Sequence, residues 1–337
     1  MSAQTVPSIE KLGARLSTAG GVILTPKRVQ IPAPGFQWVM AAISLMMLAC
    51  DAWAARQVEV LGFLTYLFKA LPGLLPLIAV NVYCRWRGLD RFVEFIALLI
   101  WTIVMLCLLF PLIIVAGRAN SALADALLFR LDTGLHFSTG VIVQAIARLP
   151  TLRLVLSVSY DLVALLGLAA VLVPALCRRI HDSQRYVLSV TIAALLTLVL
   201  FAIWPAVGPW RTEGFAPTKD QAAVESCLMI LKTPGPLELK LQRGDIVSFP
   251  SFHVAQAVLS AMALWGFRRL RWFALGLATL ICVSTVTTGW HYLTDVLGGL
   301  AVTAVAFALA RWTIKSPETH PLSVSRSGTE TVHGVVA

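Results

Sequence analysis

A histidine and an aspartate stand four residues apart where an apolar segment begins, close to the carboxyl end of the sequence. The pair is His291 and Asp295, within GWHYLTDVLGG, and the apolar segment continues to about Trp312. In a helix, residues at positions i and i+4 lie one above the other on the same face. Ionisable residues in membrane helices are energetically unfavourable and by default mark a functional site. The spacing therefore predicts a functional pair on a helix.

A second histidine occupies an equivalent place. His253 follows Pro250 and Ser251 in SFPSFH, where another apolar segment begins. A carboxylate that binds one ring nitrogen of His291 leaves the other nitrogen to act as base or nucleophile. His253 then supplies the proton that a leaving oxygen needs. Proline suits the first turn of a helix, and free N–H groups there attract anions. These residue types indicate phosphoryl transfer from a lipid phosphate.

The composition is that of an integral membrane protein. Hydrophobic residues make up 58% of the chain and charged residues 13%, with a mean hydropathy of +0.81. Soluble domains carry about 25% charged residues. The apolar segments are continuous, which favours helices over a closed barrel with alternating strands. We predict an all-α, polytopic transmembrane helical bundle with about eight spans. The predicted spans are 36–55, 62–84, 92–117, 154–177, 187–205, 249–267, 272–289 and 291–313.

The net charge of +10 is an orientation signal. Basic clusters at 85–91, 178–185 and 268–271, with others before the first span, fall on one side of an eight-span arrangement. By the positive-inside pattern both termini are cytoplasmic. Both histidines and the aspartate then lie together on the periplasmic or extracellular face of a plasma (inner) membrane. This distribution argues against nucleic acid as a partner.

Two segments between spans are too long for plain connectors. The segment at about 118–153 carries an amphipathic pattern that suits a helix at the membrane interface. The segment at about 206–248 is rich in proline, glycine and charge, and loops of this length are usually functional or disordered. Asp51 and Asp161 are predicted intramembrane acids with no identifiable partner.

Two histidines and one aspartate also form a zinc-ligand set. His253 and His291 are about 38 residues apart and no HExxH motif is present, which disfavours that alternative. We predict neither a metal nor a cofactor.

The motifs resemble those of the type 2 phosphatidic acid phosphatase superfamily, which includes lipid phosphate phosphatases and phosphotransferases. The second superfamily motif, PSGH, is similar to Pro250-Ser251-Phe252-His253, with Phe252 in place of glycine. The third, SRxxxxxHxxxD, is similar to the stretch 284–295, with Thr285 in place of arginine. The first, KxxxxxxRP, is not intact in 206–248.

The residues that depart from these motifs resemble those of the inositol phosphorylceramide synthase branch. That branch transfers a phosphorylated headgroup between lipids. The stretch WPAVGP and the region of Asp125 and Asp132 also resemble that branch. The resemblance implies that His291 is a nucleophile forming a phosphohistidine and that Asp295 orients it. It implies that His253 is the general acid and later the base, and that no metal is needed.

The resemblance further implies that Ser251 binds phosphate. The two usual arginines are missing, and Arg211, Lys240 and Arg243 are candidates for the phosphate clamp by location only.

The superfamily core has six helices, which implies four parts in this chain. These are a cytoplasmic segment 1–33, two additional transmembrane helices in 34–90, a catalytic core in 91–313 and a disordered cytoplasmic tail 314–337.

We predict a membrane-embedded lipid phosphatase or phosphotransferase acting on a phospholipid or polyprenyl phosphate. Water as acceptor gives a phosphatase, whereas a lipid alcohol or ceramide-like hydroxyl gives a headgroup transferase, and the sequence leaves both open. The alternative is a non-catalytic membrane lipid carrier or binding protein that retains the fold. The missing arginines are the best support for that alternative.

Overall fold

The chain folds into helices joined mostly by short turns. The computed structural model describes residues 34–57, 60–61, 63–119, 121–238 and 246–314. These residues contain 12 α-helices, a 3₁₀ turn and one pair of two-residue strands. The helices are α1 (Pro34–Gln57), α2 (Phe63–Trp86), α3 (Asp90–Arg118), α4 (Asp125–Gly134), α5 (Thr139–Ala147), α6 (Pro150–Asp161), α7 (Val163–Leu176), α8 (Ile180–Ile203), α9 (Lys219–Lys232), α10 (Phe252–Leu264), α11 (Arg271–Thr287) and α12 (Leu293–Thr313). The strands β1 (Val60–Leu61) and β2 (Leu237–Glu238) pair in parallel, and the 3₁₀ turn is Pro209–Arg211. The predicted helical class is confirmed.

Several helices are apolar enough to lie in a membrane. Among the described residues, 4 helices are long and apolar enough to cross it, namely α1, α3, α8 and α12. The helices α6 and α7 meet at a bend of 41° and together pass the same test, whereas α10 and α11 are shorter apolar helices. The protein is therefore an integral membrane protein by helix length and composition. Every predicted span coincides with a helix or with the bent pair, and the count of eight stays a prediction.

Helix α8 is the centre of the bundle and contacts α3, α7, α10 and α12. Its most apolar stretch is 56% buried, against 22% to 33% for α1, α3 and α12. Hydroxyl side chains on its buried surface bond to the helix itself, as Thr191 does to the carbonyl of Val187 at 2.8 Å. Small residues such as Ala193 and Ala194 are buried beside them, which allows neighbouring helices to approach closely.

Helices α1 and α2 pack against α3. Asp51 on α1 is fully buried, and neither of its carboxylate oxygens has a hydrogen-bond partner among the described residues. Asp161 lies at the break between α6 and α7 and is exposed. The predicted segment 1–33 and the tail beyond Ile314 lie outside the described residues.

Both long segments between spans contain helices. The first holds α4 and α5. The second, expected to be a loop, holds the 3₁₀ turn and α9. Thr218 and Gln221 form a capping box at the start of α9, each side chain bonding the backbone N–H of the other. This reciprocal arrangement is a recognised start signal, so the helix has a local cause in the sequence.

Candidate active site

His291 lies in the turn between α11 and α12, so the prediction that it belongs to the helix is wrong. Gly289 has a φ of +78°, a left-handed conformation that glycine adopts without strain, and it turns the chain out of α11. The backbone N–H groups of Trp290 and His291 both donate to the carbonyl of Thr285, at 3.1 and 3.0 Å. Helix α12 begins two residues later at Leu293. The turn thus carries the imidazole to the first turn of α12.

The carboxylate of Asp295 binds several groups of this turn and of the segment before α10. Its Oδ2 lies 3.2 Å from Nδ1 of His291, 3.0 Å from the backbone nitrogen of Tyr292 and 3.2 Å from Oγ of Ser248. His291 is 3% exposed and Asp295 is 0% exposed. When Asp295 is ionised its carboxylate only accepts hydrogen bonds, so Nδ1 then carries the proton and the lone pair is on Nε2. The structure therefore brings the predicted pair together, with Nδ1 of His291 facing the carboxylate of Asp295.

His253 is the second residue of α10 and lies close to the pair of His291 and Asp295. Its ring centroid is 6.1 Å from that of His291, with the planes at 55°. The ring stacks on Tyr160 at 4.2 Å, and Nδ1 lies 3.3 Å from the Tyr160 hydroxyl. Two imidazoles at this separation suit a nucleophile and a general acid on either side of one phosphorus atom, because reacting atoms need approach distances of about 3–3.5 Å.

A cavity of about 300 Å³ adjoins both histidines. Most of its wall is aliphatic or aromatic, and no lysine or arginine lines it among the described residues. Trp290 stacks on Tyr160 at 5.8 Å and meets Trp210 edge-on at 6.0 Å. The lining residues are Leu106, Leu109, Phe110, Ile113, Tyr160, Ala194, Thr197, Leu198, Val207, Val224, Ile246, Val247, Ser248, Phe252, His253, Trp290 and His291. The cavity suits a lipid chain or an apolar acceptor next to the histidines.

Two of the predicted phosphate-binding residues, Ser251 and Arg211, are described by the structure, and neither lines this cavity. Ser251 is buried and caps α10, its hydroxyl oxygen accepting the N–H of Val254 at 3.4 Å. Arg211 lies on the 3₁₀ turn 3.6 Å from Glu225. Lys240 and Arg243 lie outside the described residues. In the described part of the chain, no group of three or more His, Cys, Asp or Glu side chains is arranged to hold a metal ion.

Two more buried carboxylates, Asp125 and Asp132, support the site from α4. Asp132 accepts the first two N–H groups of α12, and Asp125 accepts two backbone N–H groups from the stretch that precedes the 3₁₀ turn. Burial raises the pKa of Asp125, and the N–H groups of Gly208 and Val207 act in the opposite direction.

Sequence reasoning did not identify Ser248, Tyr160 or Trp290 as site residues. Ser248 precedes the PSFH stretch by two positions and Trp290 precedes His291, so proximity to a motif was the available signal. Tyr160 had a weaker signal, an aromatic residue beside Asp161 within an apolar segment. Its contact with His253 spans 93 residues, and no local pattern predicts such a contact.

A helical membrane protein with two apposed histidines and an aspartate is the class that this architecture defines. The sequence model of the PAP2 superfamily matches residues 126–309, more than half of the chain. The chain belongs to the PAP2 superfamily. No curated protein and no solved structure matches the sequence. Membership indicates phosphatase or phosphotransferase activity on lipid phosphates.

Proposed function

We propose that this chain is a membrane enzyme that transfers a phosphoryl group or a phosphorylated headgroup from a lipid phosphate ester through a phosphohistidine on His291. One observation carries the proposal: the buried His291, bonded to Asp295, shares an apolar cavity with His253. Membership of the PAP2 superfamily supports the reaction class.

In the first half-reaction, Nε2 of His291 attacks phosphorus, and the bond from phosphorus to the leaving lipid oxygen breaks. His253 donates a proton to that oxygen, so the lipid leaves as an alcohol. The imidazole of His291 gains positive charge as the nitrogen–phosphorus bond forms. The carboxylate of Asp295 lies beside that charge and stabilises it, because it is already in place before the reaction.

In the second half-reaction, His253 acts as a base. It removes a proton from the acceptor hydroxyl, whose oxygen attacks phosphorus, and the nitrogen–phosphorus bond breaks. This step regenerates His291 and returns His253 to its protonated form. Water as acceptor releases phosphate or a phosphorylated headgroup, whereas a lipid alcohol yields a new phospholipid.

Transfer to a lipid hydroxyl is the version of the reaction that we favour. The walls formed by Tyr160, Trp290 and the aliphatic residues leave little polar surface to hold water next to the histidines. The resemblance to inositol phosphorylceramide synthases supports the same choice. The donor is then a phospholipid or polyprenyl phosphate, and the acceptor a ceramide-like or other lipid alcohol.

We further propose that the start of α10 binds the phosphate. The first N–H groups of a helix have no partner within it and favour anions. Ser251 is the cap of this helix, and Lys240, Arg243 and Arg211 remain the candidates for the cationic part of the clamp. We place the site on the outer face of the membrane, with both termini in the cytoplasm and α1 and α2 as additions to a six-helix core.

A non-catalytic lipid carrier is the second candidate. The observation that favours it is the lack of lysine and arginine among the described residues that line the cavity. A carrier needs the apolar walls but no proton transfer, so His291→Ala would leave its lipid binding intact.

The deciding experiment supplies purified, reconstituted protein with a panel of phospholipids and polyprenyl phosphates, with and without ceramide or diacylglycerol. We expect a new phospholipid in the presence of acceptor, and no product from His291→Ala. Free phosphate without acceptor dependence would identify a phosphatase instead. If wild type and His291→Ala are equally inert on every lipid, the catalytic proposal is refuted and lipid binding by both identifies a carrier.

The orientation has its own test. In a cysteine-free background, Lys219→Cys on α9 and Arg87→Cys between α2 and α3 are both at exposed positions. A membrane-impermeant maleimide applied to intact cells is expected to label the first and not the second. The reverse result would place the site on the cytoplasmic face.

A further inference from the structure

Helix α4 carries two buried carboxylates on one face. Asp125 and Asp132 are seven residues apart, about two helical turns, so their side chains point the same way. They are 4% and 0% exposed. Neither residue lines the histidine cavity, yet both bond to the segment 291–295 or to its immediate neighbours. Two buried carboxylates on one face of a helix are energetically unfavourable, so we expect them to have a function.

Asp132 caps a helix other than its own. Its Oδ2 accepts the N–H of Leu293 at 2.7 Å, and its Oδ1 accepts the N–H of Thr294 at 2.9 Å and the Thr294 hydroxyl. These are the first N–H groups of α12, which lack partners within the helix and carry its positive dipole end. Asp295 follows at once, so the carboxylate of Asp132 fixes the turn of helix that holds the orienting carboxylate.

Asp125 fixes the other side of the same segment. Its carboxylate accepts the N–H groups of Val207 and Gly208 at 3.1 and 2.9 Å. The hydroxyl of Tyr292 lies 3.3 Å from its Oδ1 and 2.8 Å from Oγ1 of Thr212. Tyr292 is the neighbour of His291 and is fully buried. The ring of this tyrosine therefore anchors the chain immediately after the nucleophile.

We infer that Asp132 and Asp125 are positioning residues, which hold the segment 291–295 from α4 so that His291 lines the cavity beside His253. The inference rests on the proposed function, because it assigns a purpose to the placement of His291. Displacing a reacting group by about 1 Å lowers a rate by as much as 10²-fold, so small movements of this segment are sufficient for a large effect.

Asp132→Asn is the main test. Asparagine keeps the shape but offers one oxygen where the carboxylate offers two, and its amide group then faces an N–H donor. We expect kcat to fall about 10- to 100-fold while KM stays within about threefold, since the cavity that binds the lipid is untouched. Asp90→Asn is the matched control, because it makes the same change in the first turn of α3 at an exposed position.

Two milder variants keep the test decisive if Asp132→Asn folds poorly. Thr294→Val removes one of the three donors to Asp132, and Thr294→Ser restores the hydroxyl. We expect a several-fold loss of kcat for the valine variant and recovery for the serine variant. Loss in both variants together with a lower melting temperature would show a purely structural role and overturn the inference.

Modification of His291 by diethyl pyrocarbonate, followed by peptide mass spectrometry, measures placement without turnover. The ring is 3% exposed, so wild type is expected to react slowly. Asp132→Asn is expected to react several-fold faster, and Asp90→Asn at the wild-type rate. Equal rates in all three proteins would overturn the inference. If wild type is inert on every lipid, the proposed function fails and this reactivity alone decides the positioning role.

Discussion

Replacing Asp295 by asparagine tests the charge beside His291. The variant keeps an oxygen acceptor for the N–H of Tyr292 but removes the negative charge 3.2 Å from Nδ1. In the proposed reaction the imidazole becomes positively charged as its Nε2 bonds to phosphorus. Two unit charges about 4 Å apart interact by ~4 kcal/mol at an effective dielectric constant of about 20. Because about 1.4 kcal/mol corresponds to a tenfold change in rate, kcat of Asp295→Asn is expected to fall about 10³-fold.

The assay measures kcat on a reconstituted lipid substrate and, by rapid quench, the acid-labile phosphate on His291. Both quantities are expected to fall together, because Asp295 stabilises the step that forms the intermediate. Asp90→Asn is expected to match wild type in both. If Asp295→Asn retains kcat within about threefold of wild type while His291→Ala is inactive, the electrostatic role of Asp295 is refuted.

Three further variants test the neighbours of this pair. His253→Ala is expected to lower kcat about 10²- to 10⁴-fold with an alkyl phosphate ester. The loss should be far smaller with an ester of an acidic phenol, because a phenolate leaves without a proton. Equal losses with both substrates would contradict the general-acid role. Tyr160→Phe keeps the ring stacked on His253 and removes the hydroxyl that lies 3.3 Å from Nδ1. We expect kcat to fall about 2- to 10-fold. An unchanged kcat with an unchanged pH–rate profile would show that catalysis does not use this hydrogen bond. Gly299→Ala places a Cβ 2.5 Å from the backbone oxygen of Ser251, which must shift at a cost of about 1–3 kcal/mol. The melting temperature and the activity should therefore both fall. Gly276→Ala is the control, because nothing lies within 4 Å of its Cβ, and it should melt no lower than wild type.

Hydropathy was sufficient to predict the helical class, and the four-residue spacing was sufficient to predict the contact between His291 and Asp295. The apolar segments are continuous, so the helices coincide with the predicted spans. The spacing of His291 and Asp295 brought the two side chains together even though His291 precedes the helix. The N-cap of α12 lies at Tyr292, and Asp295 reaches back to its N–H, which preserves the contact.

The parts that were not predicted depend on contacts between distant residues. The break between α6 and α7, which brings Tyr160 to His253, lies within one continuous apolar segment and has no glycine or proline at the junction. The bonds from Asp132 to α12 join residues 161 and 162 positions apart. Periodicity describes one helix at a time, so it contains no information about which carboxylate will meet the end of another helix.

The distance along the chain between Asp132 and its partners has a consequence for biogenesis. The ribosome completes α4 long before it synthesises Leu293 and Thr294, and helices α5 to α11 are all made in the interval. Until α12 is made, the proposed nucleophile His291 and its partner Asp295 are absent, and Asp132 lacks its donors Leu293 and Thr294. In the proposed mechanism, a partly translated chain therefore has no assembled catalytic centre and cannot act on the surrounding bilayer lipids while it is being built.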